Sequence, residues 1–395
     1  MIILSKRAKN FRKSGIREMF VEKFKYPGCI DFTVGDPDFN TPDHIKEATK
    51  TALDQNKTHY TDTAGILDLR KAVAKKYSEK LGLPFDENNV LITIGASEGL
   101  LISVLTVTDP GDEVIICDPS YPNYILQADL AGVNVVRVPL KEEHNFALQP
   151  EDLEKAITEK TKAIYLNSPS NPLGSVMSQL EIRRISDIIK KNNLCVLSDE
   201  VYDGLVYDGM PYYSMLREED IRENILVINS LSKTYAMTGY RIGFVLGPSE
   251  IVSKMQFQQS LSNCVSEFVQ IAAIVALEGS EHANEQMKEI YQKRRDLLVD
   301  GINAIEGLTC LKPKGAFYAF INISAFGKTS RDFAMALLEN ANVAVVPGSA
   351  FGNCGEGYIR MSYATSESNI VEGLHRIKTY LEKISVSKPR TEEEV

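Results

Sequence analysis

Apolar and polar positions change their rhythm along the chain. Residues 43–55 and 64–81 repeat at helical spacing, with Leu67, Arg70, Val73, Ala74 and Tyr77 on one mixed stripe. From residue 90 to 247 short runs rich in Val and Ile replace that pattern: VLITI (90–94), EVIIC (113–117), VNVVRV (133–138), KAIYLN (162–167), LCVLSD (194–199), ILVINS (225–230) and RIGFVL (241–246). Such runs are too short for helices and suit strands buried on both faces. Helical segments at 97–107, 120–131, 150–159 and 178–192 separate most of them. This alternation predicts a mostly parallel sheet covered by helices. About ten residues join the last two strands, too few for a parallel crossover, so one antiparallel strand is expected. Residues 248–300 read as long helices. Residues 308–385 mix strands (GAFYAFINI, VAVVPG, YIRMSYA) with helices, as in a smaller α+β unit. Residues 1–25 read as a basic, partly amphipathic helix or arm, and 28–42 as a short strand followed by a loop. The tail KPRTEEEV is charged, and fraying is expected there.

Composition narrows the function classes. The 395 residues carry 44 basic and 53 acidic side chains, a net charge of −9. An acidic surface repels phosphate backbones, so nucleic acid is not an expected partner. The six cysteines lie far apart without a CxxC pair, and the five histidines form no HExxH, so neither a disulfide framework nor a metal site is expected. No apolar run approaches the ~20 residues of a membrane helix. In MIILSKRAKNFRKS the charges follow the apolar stretch, the reverse of a secretory signal. A cytoplasmic protein without a membrane partner is expected.

The most informative segment is SLSKTYAMTGYR (230–241). It places Lys233 just past a strand end, where open α/β sheets bind ligands. Flanking hydroxyls and Arg241 form an anion cradle, and a lysine so placed can condense with an aldehyde cofactor. Taken alone, Ser-x-Ser-Lys better describes a solvated loop lysine. SDE (198–200) alone equally describes a turn or helix cap. Tyr121 alone equally fits a core tyrosine, and Arg360 a surface strand arginine. The sequence Gly327-Lys328-Thr329 looks like the end of a phosphate loop, but Asn322 stands where its leading glycine belongs. The turn at Gly352, Gly355 and Gly357 lacks a dinucleotide fingerprint.

Nearly the whole chain resembles one family. GDPDFNTP (35–42), HYTDTAGILDLR (59–70), GASEGL (95–100), DPSYPNY (118–124), NSPSNPLG (167–174), SDEVYDGLVYDG (198–209), SLSKTYAMTGYRIGF (230–244), PKGAFYAF (313–320), VPGSAFG (346–352) and YIRMSYA (358–364) follow its order. They resemble the class I aminotransferases of the aspartate aminotransferase superfamily, most closely the prokaryotic-type subgroup that also holds alanine and aromatic enzymes. The resemblance implies a fold type I, pyridoxal-phosphate-dependent α/β transferase. Its large domain would have a mostly parallel seven-stranded sheet between helices, with a smaller α+β domain beside it. The implied division is 1–46 (N-terminal arm and part of the small domain), 47–290 (large domain) and 291–395 (small domain).

The resemblance also implies roles. Lys233 would carry pyridoxal 5′-phosphate as a Schiff base and move the substrate proton. Asp199 would pair with the ring nitrogen, Tyr202 and Asn171 would contact the ring oxygen, and Tyr121 would stack on the ring. Ala96, Ser97, Ser230, Ser232 and Arg241 would hold the phosphate, and Tyr60 would reach the phosphate of a partner subunit, implying a homodimer with shared sites. Arg360 would grip the substrate α-carboxylate, with Asn171 and Gly35 beside it. The implied reaction is ping-pong transfer from an L-amino acid (aspartate, alanine or aromatic) to a 2-oxo acid such as 2-oxoglutarate, in amino-acid metabolism and biosynthesis. The rival reading on this fold is a carbon–sulfur or other β-lyase. A pyridoxal-phosphate-binding regulator would append a helix-turn-helix, for which the roughly 25 residues before the core leave no room.

Specificity is where the chain departs from the pattern. Relatives in the prokaryotic-type subgroup carry a lysine at the position of Ser97, and another subgroup uses a partner arginine near SLSNCVSE (260–267), which holds no cation. An unpaired carboxylate in a partly dry pocket is costly. The basic stretch with Arg12, Lys13 and Arg17 is the remaining source of charge. A broad or neutral-leaning preference is therefore expected, with aspartate accommodated only through that arm.

Overall fold

The computed structural model describes residues 3–5, 8–9, 15–259 and 262–386. Helix α1 (Gly15–Glu22), strand β1 (Ile30–Asp31) and helices α2 (Asp43–Asp54) and α3 (Leu67–Leu81) come first. The apolar runs then become β2 (Val90–Thr93), β3 (Glu113–Asp118), β4 (Asn134–Pro139), β5 (Thr161–Asn167), β6 (Cys195–Asp199), β7 (Ile225–Ser230) and β8 (Gly243–Leu246). Between them lie α4 (Gly95–Val107), α5 (Asn123–Ala131), α6 (Pro150–Ala156), α7 (Gln179–Asn192) and the short α8 (Leu231–Thr234). These strands form one seven-stranded sheet in the order β2-β8-β7-β6-β5-β3-β4. The expected antiparallel strand is β8, which runs against both β7 and β2, whereas β3 to β7 pair in parallel.

The runs are apolar at consecutive positions because both faces of the sheet are covered. In β7, Ile225 and Val227 join one buried cluster while Leu226 and Ile228 join the other. Helices α3 and α7 cover the first face, and α4 and α5 the second. Helix α7 starts where Ser178 and Glu181 form a capping box.

The remaining elements are α9 (Ser249–Gln259), α10 (Glu267–Glu278), α11 (His282–Asn303), β9 (Thr309–Cys310), β10 (Tyr318–Asn322), α12 (Ser330–Ala341), β11 (Val343–Ala344), β12 (Val346–Pro347), β13 (Tyr358–Ser362) and α13 (Glu367–Val386). A four-stranded sheet has the order β12-β13-β10-β9, and β1 pairs with β11 in parallel. Their own buried cluster includes Met19 of α1, Leu298, Leu337 and Ile377. Thr329 of the phosphate-loop lookalike caps α12, accepting a hydrogen bond from the Asp332 amide at 3.1 Å. The charged tail lies outside the described residues.

Candidate active site

The parallel strands β5, β6 and β7 end at Asn167, Asp199 and Ser230, and a cavity of about 540 Å³ opens there. Ligands gather at such ends because the following helix N-termini and loops present unpaired amides. Asp199 is buried at the end of β6. Its carboxylate accepts from the Tyr124 hydroxyl at 2.6 Å and the Val201 amide at 3.3 Å. Burial pushes its pKa up to about 6, while Tyr124, Val201 and the nearby Lys233 charge pull it down. Above that pH the carboxyl is an anion lining the cavity. The Asn167 amide group secures the turn, donating to the Asp199 carbonyl at 3.0 Å.

Lys233 projects from α8 into the same cavity, and its Nζ donates to the Gly35 carbonyl at 2.6 Å. Burial lowers its pKa to about 8. The charges of Arg241 and Arg360 act in the same direction, against Asp36 and Asp199. Roughly a tenth of the amine is thus neutral and nucleophilic at pH 7.

Arg241 lies outside β8, although RIGFVL predicts a strand from 241. Its φ of +55° turns it out of the ladder, and the strand starts at Gly243. The turn brings its guanidinium over the N-terminus of α4. A Cβ at Gly95 would lie 2.7 Å from Arg241 Nη2, and one at Gly243 would lie 2.8 Å from the Ala96 amide nitrogen. Only glycines leave this cradle open. Ala96, Ser97, Ser230 and Ser232 line the cavity with it.

Arg360 sits mid-strand in β13, opposite Phe320 and Val346, and is fully buried. Its guanidinium donates to Asn171 Oδ1 at 3.1 Å and to the Thr33 carbonyl at 2.5 Å. It lies 4.4 Å from the Tyr318 ring centroid and 5.1 Å from that of Phe351. Its Nε has no hydrogen-bond partner. Among the described residues no carboxylate forms an ion pair with it, and a buried guanidinium so placed is a ready receptor for a carboxylate. The Tyr202 hydroxyl pairs with that of Tyr318 at 2.8 Å, and Tyr121 packs edge-on to Tyr124 at 5.5 Å.

One cavity thus gathers Gly35, Ala96, Ser97, Tyr121, Asn171, Asp199, Tyr202, Ser230, Ser232, Lys233, Arg241 and Arg360. Tyr60 is apart from it and 85% exposed. Sequence reasoning passed over Tyr124, Tyr318, Thr33 and Asn167. Tyr124 carried a signal, standing three residues after Tyr121 at the start of a helix. Arg17 of the basic arm lines the cavity with Ile16 and Phe20, whereas Arg12 and Lys13 lie outside the described residues.

Residues 27–377 match the family model for aminotransferase class I and II. The aspartate aminotransferase of Pyrococcus horikoshii is 42% identical over 96% of this chain and 97% of its own. Aromatic-amino-acid aminotransferase 2 of Thermococcus litoralis is 41% identical over 96% of this chain and 98% of its own. The solved structure of Thermus thermophilus aspartate aminotransferase with maleate superposes with a TM-score of 0.91 at 35% identity, covering 96% of this chain and 100% of that one.

Proposed function

The chain belongs to the class I and II aminotransferases, and from that premise we propose a role for each side chain around the cavity. The reaction is pyridoxal-phosphate-dependent transfer of an amino group between amino acids and 2-oxo acids. The observation that carries the residue assignment is the convergence on one cavity of an amine with a lowered pKa, a buried carboxylate, a buried guanidinium with an unpartnered Nε and an anion cradle.

The residues present fit pyridoxal 5′-phosphate. Arg241, Ser230, Ser232 and the Ala96 and Ser97 segment at the start of α4 hold its phosphate, aided by the positive end of the helix. Asp199 would keep a proton on the ring nitrogen, which a buried anion does well. Tyr202 and Asn171 would donate to the ring oxygen, and Tyr121 would lie against the ring. When bound, the cofactor supplies an aldehyde that condenses with amines and a ring that takes up electrons from the bond broken at Cα. Arg360 holds the substrate α-carboxylate, which orients the Cα–H bond, and Gly35 and Asn171 border it. Lys233 would remove the Cα proton as a general base and, as a general acid, deliver it to the carbon that was the cofactor's aldehyde. Water then releases a 2-oxo acid while the amino group stays with the cofactor, and a second 2-oxo acid enters the same site to take that group up, giving ping-pong kinetics.

The division into an N-terminal arm with part of the small domain (1–46), a large domain (47–290) and a small domain (291–395) is proposed likewise, the last boundary falling within α11. No helix among the described residues is long and apolar enough to cross a membrane. We place the enzyme in the cytoplasm, in amino-acid biosynthesis, as a homodimer in which Tyr60 reaches the partner's phosphate. Mixed dimers of Lys233→Ala and Tyr60→Ala protomers should regain activity, because one hybrid site then carries neither defect. A fully active monomer in sedimentation would refute the shared site.

The central test is chemical. Protein purified with pyridoxal phosphate should absorb in the visible, borohydride should abolish the band, and peptide mapping should find the tag on Lys233. A tag on another lysine overturns the assignment.

A further inference from the structure

Four cations line the cavity: Arg17, Lys233, Arg241 and Arg360. On the reading above, three are committed to the cofactor and the α-carboxylate. Arg17 is left over. Among the described residues it makes no hydrogen bond or ion pair, while the other charges of α1 are neutralised: Glu18 pairs with Arg331 at 2.7 Å and Glu22 with Lys25 at 2.6 Å. Glu18 therefore does not cancel Arg17.

The helix is held where Arg17 faces the cavity. Met19 is 1% exposed in the core shared with β10 and β13. A Cβ at Gly15 would lie 2.7 Å from the Ala350 Cβ, so only glycine lets the helix approach the segment before Phe351. Phe351 is the ring packed on Arg360, which puts α1 on the substrate side of the cavity. The acidic lining residues are placed otherwise. Asp199 lies at the strand ends, and Asp36 borders both this cavity and a neighbouring pocket with Thr238 and Arg241.

Resting on the aminotransferase reading, we propose that Arg17 is the specificity residue for acidic substrates, pairing with the distal carboxylate of dicarboxylic amino acids and 2-oxo acids. Ile16 and Phe20 line the cavity on the same helix, and Arg17 is itself exposed. When a substrate has an apolar or aromatic side chain, the guanidinium turns to water at little cost and the apolar wall remains. One helix thus serves two substrate classes, with the acidic class alone dependent on Arg17.

The test uses holoenzyme of the wild type, Arg17→Gln and Arg17→Lys. Half-reactions with glutamate and phenylalanine are followed by absorbance, and binding of maleate and of 3-phenylpropionate by calorimetry. In Arg17→Gln, kcat/KM for glutamate should fall about 30-fold, mainly through KM, and maleate should weaken similarly, as expected when one charged hydrogen-bonding partner is lost. Phenylalanine and 3-phenylpropionate should change less than about 3-fold, and Arg17→Lys should recover part of the glutamate loss. An equal loss for both amino acids makes Arg17 part of a lid and overturns the proposal. So does an unchanged glutamate reaction. If the underlying reading fails, the wild type transaminates neither amino acid, which overturns both.

Discussion

The floor of the cavity and its α1 wall are built on different principles. On the floor, Asp199, Asn167 and Ser230 end strands of a sheet buried on both faces, and their polar atoms are tied to one another and to the backbone. The wall is one helix, α1, held by Met19, by the Gly15 contact and by the ion pair of Glu18 with Arg331. A group fixed by sheet and network keeps its geometry for every substrate. A helix anchored from behind leaves its cavity-facing side chains free to differ in length and charge. Changes on the floor should therefore act on all substrates alike, and changes on the wall should alter their ratio.

The largest effect is expected from the floor. Asp199→Ala removes the anion proposed to keep the ring nitrogen protonated, and kcat should fall roughly 10³-fold, the scale of losing one preorganised electrostatic partner. The decisive measurement is the ratio of glutamate to phenylalanine turnover. If it moves by more than about 3-fold, the floor is not blind to substrate and the comparison breaks.

A smaller effect sharpens the same point. The Tyr124 hydroxyl donates to Asp199 and helps hold its carboxyl down against burial. In Tyr124→Phe that donor is lost, so the pKa of Asp199 rises above about 6. In its proposed role the residue works as an anion, so the acid limb of the kcat/KM profile should move to higher pH. Activity should drop roughly 3- to 10-fold at neutral pH and recover in alkali. An acid limb that stays in place would show that Asp199 does not set it.

Much of this was legible in the sequence, for physical reasons. A sheet covered on both sides demands consecutive apolar residues, so the runs from 90 to 246 announced it. The short link between the last two runs announced the antiparallel β8. Lys233 and Asp199 stood just past or at strand ends, where chemistry collects. The pairing of Tyr124 with Asp199 joins residues 75 positions apart and has no local trace. The same holds for Arg360, whose Thr33 and Asn171 partners come from distant segments. Arg241 read as a strand residue because RIGFVL is apolar, yet its left-handed backbone is what carries it to α4. The basic arm was visible as charge, but which cation faces the cavity depends on the way α1 docks.

The mildest test separates the two sides of the floor itself. Glu200 follows Asp199 and is equally buried, but it is not among the cavity residues. Its Oε1 accepts from Ser198 at 3.0 Å, Ser214 at 2.9 Å and the Met215 amide at 3.3 Å. Burial first, then the charge of Asp203, pushes its pKa up to about 7 from the usual 4.5. An acid raised in the folded state binds its proton more tightly there than in the unfolded chain. Its contribution to stability is full below about pH 4.5 and is lost as pH rises through about 7. Glutamine carries no charge at any of these values and has no such loss. Between about pH 5 and pH 8 the Tm of Glu200→Gln should therefore gain on that of the wild type, by roughly 2 °C, while kcat for glutamate and phenylalanine stays within about 2-fold. A Tm difference independent of pH would mean that Glu200 is not the titrating group. A fall in kcat like that of Asp199→Ala would mean that the catalytic floor extends through the strand end to its far side.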